Sequence, residues 1–441
     1  MGNRDKETPL DGLAKGFRQR TLATAKLAGK MGVSYVKRAV KGPSDDRADR
    51  EAAIKGAVEL VEQLGKLKGL AMKVGQIASY VPGAFPPEAQ KVLAELQSRS
   101  TPVNFLHLEE VLTQDLGAPV SQLFDDFDRD PVAAASVGQV HRARYQGRDV
   151  AVKIQYPEVK ALMASDLKMV SMFSRVLVVG TPNDGEALAK ELRDRMLEEC
   201  DYALEARRQR LFRELYGRLP GCRVPEVVAE RSSARVLTSE WIDGLPFERF
   251  AEEASQQQKD EAGAKIFDAV FQTLFHHGIY NGDPHPGNYL FTKDGEVVFL
   301  DFGCVREFSA TFLDNWKPME RAMHARDREG VRRAFPATGM MGVPAEKFDW
   351  DLHWEVMEYV CRPYQPPQPF RFTQEYVAES YDRLLFNAKV AGMISTPPEW
   401  LLINRVHWGL NSVLGRLHAT SDWGERWHRA IWSETKPIRC P

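Results

Sequence analysis

Between Arg50 and Gln97 apolar residues return every three or four positions. Ala52, Ile54, Ala57, Leu60, Val61, Leu64, Leu67, Leu70, Ala71 and Val74 share one helical face. Val81-Pro82-Gly83 breaks the run, Pro86-Pro87 opens a helix to Leu96, and Phe105 to Leu116 reads as a third, closed by Gly117 and Pro119. The period changes at Leu123. Val137 to Arg144 and Arg148 to Ile154, turning at Gln146-Gly147, have the pattern of a β-hairpin. Arg223 to Ala229 and Arg235 to Trp241 predict two more strands, with helical sequence at Pro157 to Val178 and Glu186 to Leu215 before them. A long helix is expected from Lys259 to His277, then a strand pair, Tyr289 to Thr292 and Val297 to Leu300, turning at Asp294-Gly295. Beyond Asp301 helices dominate, interrupted by a proline-rich loop from Cys361 to Pro369. The order predicts an arm (1–49), a helical N-terminal extension (50–121), a small β-rich lobe (122–246) and a large helical lobe (247–441), an α+β two-lobed pattern.

Composition narrows what such a chain does. Of 441 residues 43% are hydrophobic and 27% charged, as in folded globular proteins. Lys+Arg 59 against Asp+Glu 61 leaves a net charge of −2, which argues against a globally basic nucleic-acid binder. The most apolar run, Met169 to Gly180, carries Arg175 and falls short of the ~18–20 residues of a spanning helix. Cys200, Cys222, Cys304, Cys361 and Cys440 are odd in number and scattered, which fits a reducing, cytosol-facing compartment. Gly12 to Ser44 is different: Lys15, Arg18, Arg20, Lys26, Lys30, Lys37, Arg38 and Lys41 occur with no acidic residue. Ala23, Leu27, Met31 and Tyr35 recur at i,i+4 there, so a basic amphipathic helix suited to an anionic membrane surface is expected. A solvated arm folded onto an acidic face is the alternative.

The densest chemistry lies in Asn281-Gly282-Asp283-Pro284-His285-Pro286-Gly287-Asn288, followed by Leu300-Asp301-Phe302-Gly303. An Asp, an Asn five residues on, and an Asp-Phe-Gly after a strand pair form the arrangement of phosphoryl transfer. Asp283 would orient or deprotonate an attacking hydroxyl or water. Asn288 and Asp301 would give oxygen ligands to Mg2+, a hard cation that takes one or two carboxylates besides phosphate oxygens. Upstream, Val150-Ala151-Val152-Lys153 places one ammonium on a predicted strand, suited to the phosphates of ATP or ADP. The helix predicted from Glu186 offers Glu198, Glu199, Asp201 and Glu205; Asp201 and Glu205 share a face at i,i+4, and Glu205 is the expected partner of Lys153. Where a phosphate-covering loop usually carries glycines, Ala133, Ala134, Ala135, Ser136 and Val137 precede Gly138. Alanine restricts φ and fills space beside the backbone, yet such a loop can still donate N–H groups to phosphate. After Gly303 there is no A-P-E and no long activation segment.

Taken together the chain resembles the UbiB family (also called ABC1 or AarF) of atypical protein-kinase-like proteins. The matching motifs are Lys73-Val74-Gly75-Gln76, the Ala-rich loop to Val140, Val150 to Lys153, Glu199-Cys200-Asp201, Gly282-Asp283-Pro284 with Asn288, and Asp301-Phe302-Gly303. The likeness runs from about Leu60 to Phe308 and more loosely beyond. It implies a protein-kinase-like fold with a helical N-terminal unit, whose Lys73 and Gln76 fold over the cleft where a peptide would dock. Lys73 would meet Glu199 and Asp201, while Lys153 pairs with Glu205. It also implies binding of adenine nucleotide with Mg2+ and ATP hydrolysis, in support of ubiquinone or other isoprenoid-lipid metabolism at membranes. Bacterial relatives tied to ubiquinone often end in spanning helices, whereas Trp400 to Trp427 here is amphipathic, with Asn404, Arg405, His407 and Arg416 interspersed. Trp408, Trp423, Trp427 and Trp432 fit either a core or an interfacial belt. Two alternatives remain at this level: a small-molecule phosphotransferase of aminoglycoside- or choline-kinase type, and a nucleotide-binding pseudokinase.

Overall fold

The computed structural model describes residues 103–134, 137–157, 159–160, 197–385 and 387–441. The expected basic arm, the helices between Arg50 and Gln97, and nearly all of the helix over 157–178 lie outside the described residues. The chain divides into two units: residues up to Leu204 with Val227–Trp241, and Glu205–Glu226 with Ile242–Pro441.

The first unit opens with helix α1 (Phe105–Leu116), where the periodicity predicted it. Asn104 Oδ1 accepts from Leu106 N at 3.1 Å, and Gly117, at φ 77°, ends the helix in the left-handed region that glycine tolerates. A short helix α2 (Val120–Leu123) leads to strands β1 (Asp126–Phe127), β2 (Ala133–Ala134), β3 (Gly138–Tyr145) and β4 (Arg148–Gln155). Gln146 and Gly147 both have positive φ, 51° and 75°, as a two-residue hairpin matched to strand twist requires. The chain then enters helix α3 (Tyr202–Tyr216), whose residues from Glu205 belong to the second unit, passes strand β5 (Cys222–Arg223), and returns with β6 (Val236–Glu240). The sheet order is β1-β3-β4-β6, all antiparallel, with β2 on the same edge of β3 as β1. Ser233 Oγ donates to Asp115 Oδ2 at 2.8 Å and Arg235 Nε to Asp115 Oδ1 at 3.0 Å, fastening the end of α1 to the start of β6.

The second unit contains β7 (Leu245–Pro246), α4 (Phe247–Glu253), α5 (Gln256–His277), and strands β8 (Ile279–Asn281), β9 (Tyr289–Phe291), β10 (Val297–Phe299) and β11 (Val305–Glu307). Then follow α6 (Ala310–His324), α7 (Arg328–Ala334), α8 (Trp350–Val360), β12 (Phe370–Arg371), α9 (Gln374–Leu385), α10 (Ala388–Met393), α11 (Pro398–Leu417), β13 (Thr420–Ser421) and α12 (Trp423–Ile431). Helix α5 is the spine of the core. Its Phe267, Phe271 and Phe275 meet Trp423 and Trp427 of α12 at centroid distances of 5.1, 4.7 and 5.3 Å. Strands β5-β10-β9-β7 form one small sheet, and β8 pairs β11 antiparallel.

Four expectations change. The strand over Arg223–Ala229 shrinks to Cys222–Arg223, because Pro225 has no N–H for a ladder. The helix predicted through Leu215 is interrupted at Glu199-Cys200, and Asp201, expected on one helical face with Glu205, instead caps α3 by accepting from Leu204 N at 2.9 Å. Helix α5 starts three residues early, at a Ser255/Gln258 capping box. The amphipathic stretch at 400–427 breaks at His418, with positive φ, into α11 and α12. Trp408, Trp423 and Trp427 are buried in the core, and Trp432 is half-exposed against His428 at 4.2 Å. Among the described residues no helix is long and apolar enough to cross a membrane.

Candidate functional site

In the second unit the residues around Asp283 are fixed from several directions. Strand β8 delivers the loop, and its pairing with β11 sets Asn281 opposite Val305, so the loop starts beside the segment that follows Asp-Phe-Gly. Gly282 N donates to Cys304 O at 2.6 Å, and a Cβ at Gly282 would lie 3.1 Å from that same carbonyl oxygen. Any side chain there would push this approach apart by a few tenths of an ångström, so glycine suits the position. A 3-10 turn, Pro286–Asn288, brings Asn288 back: its Nδ2 donates to Asp283 O at 2.9 Å and to Asp283 Oδ2 at 3.1 Å. With the amide nitrogen committed to Asp283, the carbonyl oxygen of Asn288 is the atom suited to a cation.

The other carboxylate oxygen of Asp283 has a partner that the local sequence does not reveal. Arg405, on α11, donates from Nη2 to Asp283 Oδ1 at 2.7 Å. Burial brings the Arg405 pKa down to about 10, which leaves the guanidinium charged at neutral pH. One turn further, Gly409 faces Pro284: a Cβ there would stand 2.4 Å from Pro284 Cγ. The i,i+4 pair Arg405 and Gly409 thus forms a seat for the loop. The sequence offered a signal in a glycine four residues after an arginine on a helix, but nothing locally connects either with Asp283.

Asp301 is held just as closely. Asn281 Nδ2 donates to its backbone carbonyl, and Gly303 N donates to its Oδ1 at 2.9 Å. Phe302 is fully buried, 5.2 Å from the Phe212 ring. Arg208 Nη1 donates to Gly303 O at 3.0 Å, and the Glu205 carboxylate lies 4.0 Å from where a Gly303 Cβ would stand. Glu205, Arg208 and Phe212 are one face of α3, and that face cradles Asp-Phe-Gly. Glu205 is buried, although charged helical residues usually face solvent. The segment after Gly303 is short: β11 follows at once and α6 begins at Ala310.

In the first unit β3 lies between the Ala-rich strand and the lysine strand. Val140 pairs Ala133 on one side and Lys153 on the other. A Cβ at Gly138 would meet Ile154 O at 2.3 Å and the Tyr202 hydroxyl at 2.6 Å, so this position accepts only glycine. Lys153 Nζ stands 5.0 Å from the centroid of the Tyr202 ring, within cation–π range. Val137 is buried, Ala134 half-buried and Ala133 exposed. Glu199 lies in the turn before α3, and Asp201 is its cap. Lys73, Gln76, Ala135 and Ser136 are outside the described residues. The structure therefore brings together Asp283, Asn288, Asp301 and Glu205 in the second unit, and Lys153, Ala133, Ala134 and Val137 in the first.

Comparison with known proteins identifies the family and the fold. A family described as the ABC1 atypical kinase-like domain matches residues 95–335. An uncharacterized aarF domain-containing protein kinase, chloroplastic, of Arabidopsis thaliana is 33% identical over 308 residues, covering 68% of this chain and 43% of that protein. The mitochondrial atypical kinase coq-8 of Caenorhabditis elegans is 29% identical, covering 84% of this chain and 50% of its own length. The mitochondrial atypical kinase COQ8B of Danio rerio is 27% identical, covering 78% and 55%. The chain spans about half the length of these curated relatives. A solved structure, the complex of Rv3197 with erythromycin from Mycobacterium tuberculosis, is 29% identical with a TM-score of 0.65, covering 89% of this chain and all of that one.

Proposed function

Because the chain belongs to the ABC1 atypical kinase-like family, we propose that it binds ATP or ADP and acts as a Mg2+-dependent ATPase. The observation that carries this reading is the double hold on Asp283, by Arg405 at 2.7 Å and Asn288 at 3.1 Å, beside an anchored Asp301. Asp283 orients the attacking oxygen, and its two partners keep the carboxylate from rotating away. Lys153 takes the phosphates, with Glu205 as the carboxylate that balances its charge, and Ala133 to Val137 cover the nucleotide through backbone N–H groups. Asn288 and Asp301 fit a small hard cation, being one amide and one carboxylate oxygen donor. The ion, when bound, supplies charge neutralisation at the phosphates.

Water is the favoured acceptor. Only six residues separate Gly303 from α6, and three of them pair with β8, so the stretch where protein kinases build a peptide platform is occupied. Lys73 and Gln76 regulate access together with Glu199 and Asp201 in this proposal, and the ATPase cycle serves ubiquinone or another isoprenoid lipid at a membrane surface. Phosphate release from Mg-ATP without added acceptor tests the chemistry: Asp283→Asn and Lys153→Ala both lower it by orders of magnitude, and undiminished release in either rejects the site. Release that appears only when a small-molecule acceptor is added replaces the ATPase with a phosphotransferase; nucleotide binding without turnover leaves a pseudokinase. For the membrane part, deleting residues 1–45 or raising salt lowers sedimentation with anionic vesicles, and equal sedimentation of both forms defeats it.

A further inference from the structure

The first unit buries a polar network beside the Ala-rich strand. Gln139, on β3, is fully buried and faces Val103. Its Oε1 accepts from Val103 N at 3.0 Å and its Nε2 donates to Val103 O at 3.3 Å, the two-bond exchange that a neighbouring strand would make. The same Nε2 is 3.1 Å from His141 Nε2, and His141 Nδ1 is 2.9 Å from Asp128 O. A carbonyl oxygen only accepts, so Nδ1 carries the proton and Nε2 accepts from Gln139. The imidazole is neutral. It sits between the rings of Phe105 and Phe127, at 5.3 and 5.4 Å.

Such a network, satisfied at each atom, specifies one arrangement of the segments it joins. Here those segments are the chain at Val103, the carbonyl of Asp128 at the end of β1, and β3. The backbone of Gln139 pairs Ala134 on one side and Ile154 on the other. The residue that clasps Val103 is therefore in register between the Ala-rich strand and the strand of Lys153.

We propose that Gln139 is a positioning residue for nucleotide binding: by tying the chain at Val103 to β3, it sets where Ala133 and Ala134 lie relative to the lysine strand. This rests on reading Ala133 to Val137 as nucleotide-facing. The network separates from ordinary core packing through the histidine. In Gln139→Glu the introduced carboxylate still accepts from Val103 N but can donate neither to Val103 O nor to a neutral His141; it accepts from a protonated His141, whose Nδ1–H still serves Asp128 O. Burial holds the His141 pKa below its ordinary value, against the nearby charges of Asp128 and Asp130, which favour the protonated ring; Arg129 lies over Phe105 at 5.4 Å and pairs with Glu109 at 3.6 Å.

Dissociation constants of Mg-ATP and Mg-ADP, measured on the full chain at pH 8 and pH 6, test the proposal. Gln139→Met binds ATP about tenfold more weakly at both pH values, the scale of one or two buried hydrogen bonds. Gln139→Glu is at least as weak at pH 8 and recovers in part at pH 6, in step with protonation of His141 read from its ring 15N shifts, while the lost bond to Val103 O keeps it below wild type; the wild type shows no such pH dependence. Wild-type affinity for both nucleotides in a folded Gln139→Glu at both pH values overturns the proposal. Where Gln139→Met fails to fold, the pH-dependent pair alone decides. A wild type that binds neither nucleotide defeats the underlying reading instead, and a His141 titration unmoved by Gln139→Glu defeats the network itself.

Discussion

The surroundings of Asp283 and of Ala134 differ in how they are specified. Asp283 and Asp301 are fixed through side chains contributed by β8, α3 and α11, namely Asn281, Arg208 and Arg405, together with Asn288 of the loop itself. Ala133 and Ala134 form a two-residue strand, held to β3 by backbone pairing and offering no polar side chain. One region acts through groups that substitution deletes, the other through backbone geometry that substitution bends. Removing a functional group should therefore be costly in the first, whereas in the second only a change in allowed φ and ψ should register.

The largest effect is expected at the carboxylates. Asp283→Asn keeps the size of the side chain and removes its charge, so phosphate release falls about 10³-fold, within the usual range for a lost catalytic acid–base group. Asp301→Asn falls at least as far. Steady-state phosphate release, with circular dichroism as the folding control, checks both; a loss under tenfold would erase the contrast with the Ala-rich strand. Next in size is a pH effect in the core of the second unit. Glu320, on α6, is buried and accepts from Trp316 Nε1 at 2.7 Å, and burial pushes its pKa up to about 7 from 4.5. A folded-state value above the unfolded one means stability is complete below pH 4.5 and is lost as pH rises toward 7. The loss approaches ~3 kcal/mol at 1.36 kcal/mol per unit. His353 and His407, held neutral with values near 4, act in the opposite sense over pH 4 to 6.5. Denaturant melts of Glu320→Gln against wild type isolate the carboxyl, and a constant difference between pH 5 and pH 8 would refute it.

Short-range signals were legible in the sequence. The periodicity from Phe105 to Leu116 with its stop at Gly117 marks α1, Gln146-Gly147 turns the hairpin, and the spacing of Asp283, Asn288 and Asp301 marks the loop before any fold is known. Long-range closure was not. Arg405 reaches Asp283 across 122 positions, and the parallel pairing of Cys222 with Val297 depends on where β5 and β10 meet. Periodicity reports which face is buried, not what it is buried against. Thus α11 read as amphipathic, while the reason for Arg405 on its inner side stayed hidden. Asp201 misled for a related reason: i,i+4 spacing assumes that both residues are helical, and a capping aspartate is not.

Arg405 sharpens the comparison because it bonds directly to the Asp283 carboxylate, at 2.7 Å. Arg405→Met should lower kcat by about 10- to 100-fold and leave the KM for ATP near its wild-type value, the pattern of an interaction used in the transition state rather than in binding. Part of the loss appears as stability, since the substitution removes one partner of a largely buried pair, while Asn288 still holds the other carboxylate oxygen of Asp283. Arg405→Lys restores the charge but not the planar donor geometry, and should recover only a fraction of kcat. A rise in KM with unchanged kcat would move Arg405 into the binding machinery and weaken the division between the two regions.

The smallest effect, and the one that tests the backbone half directly, is Ala134→Gly. Glycine removes a methyl group that makes no polar contact and adds φ freedom at a strand residue, at a cost of about 1 kcal/mol in local order. If the strand meets phosphate through its N–H groups, the ratio of ATP to ADP affinity should change about three- to fivefold, because the added freedom repositions those donors over the terminal phosphate. The turnover of bound ATP should change less than affinity does. Combined with Asp283→Asn, the effect on the affinity ratio and the effect on turnover should add, as expected where one substitution acts on binding and the other on the chemical step. An unchanged ATP-to-ADP ratio would mean that Ala134 is a structural edge residue, and that the Ala-rich strand does not contribute to recognition through its backbone.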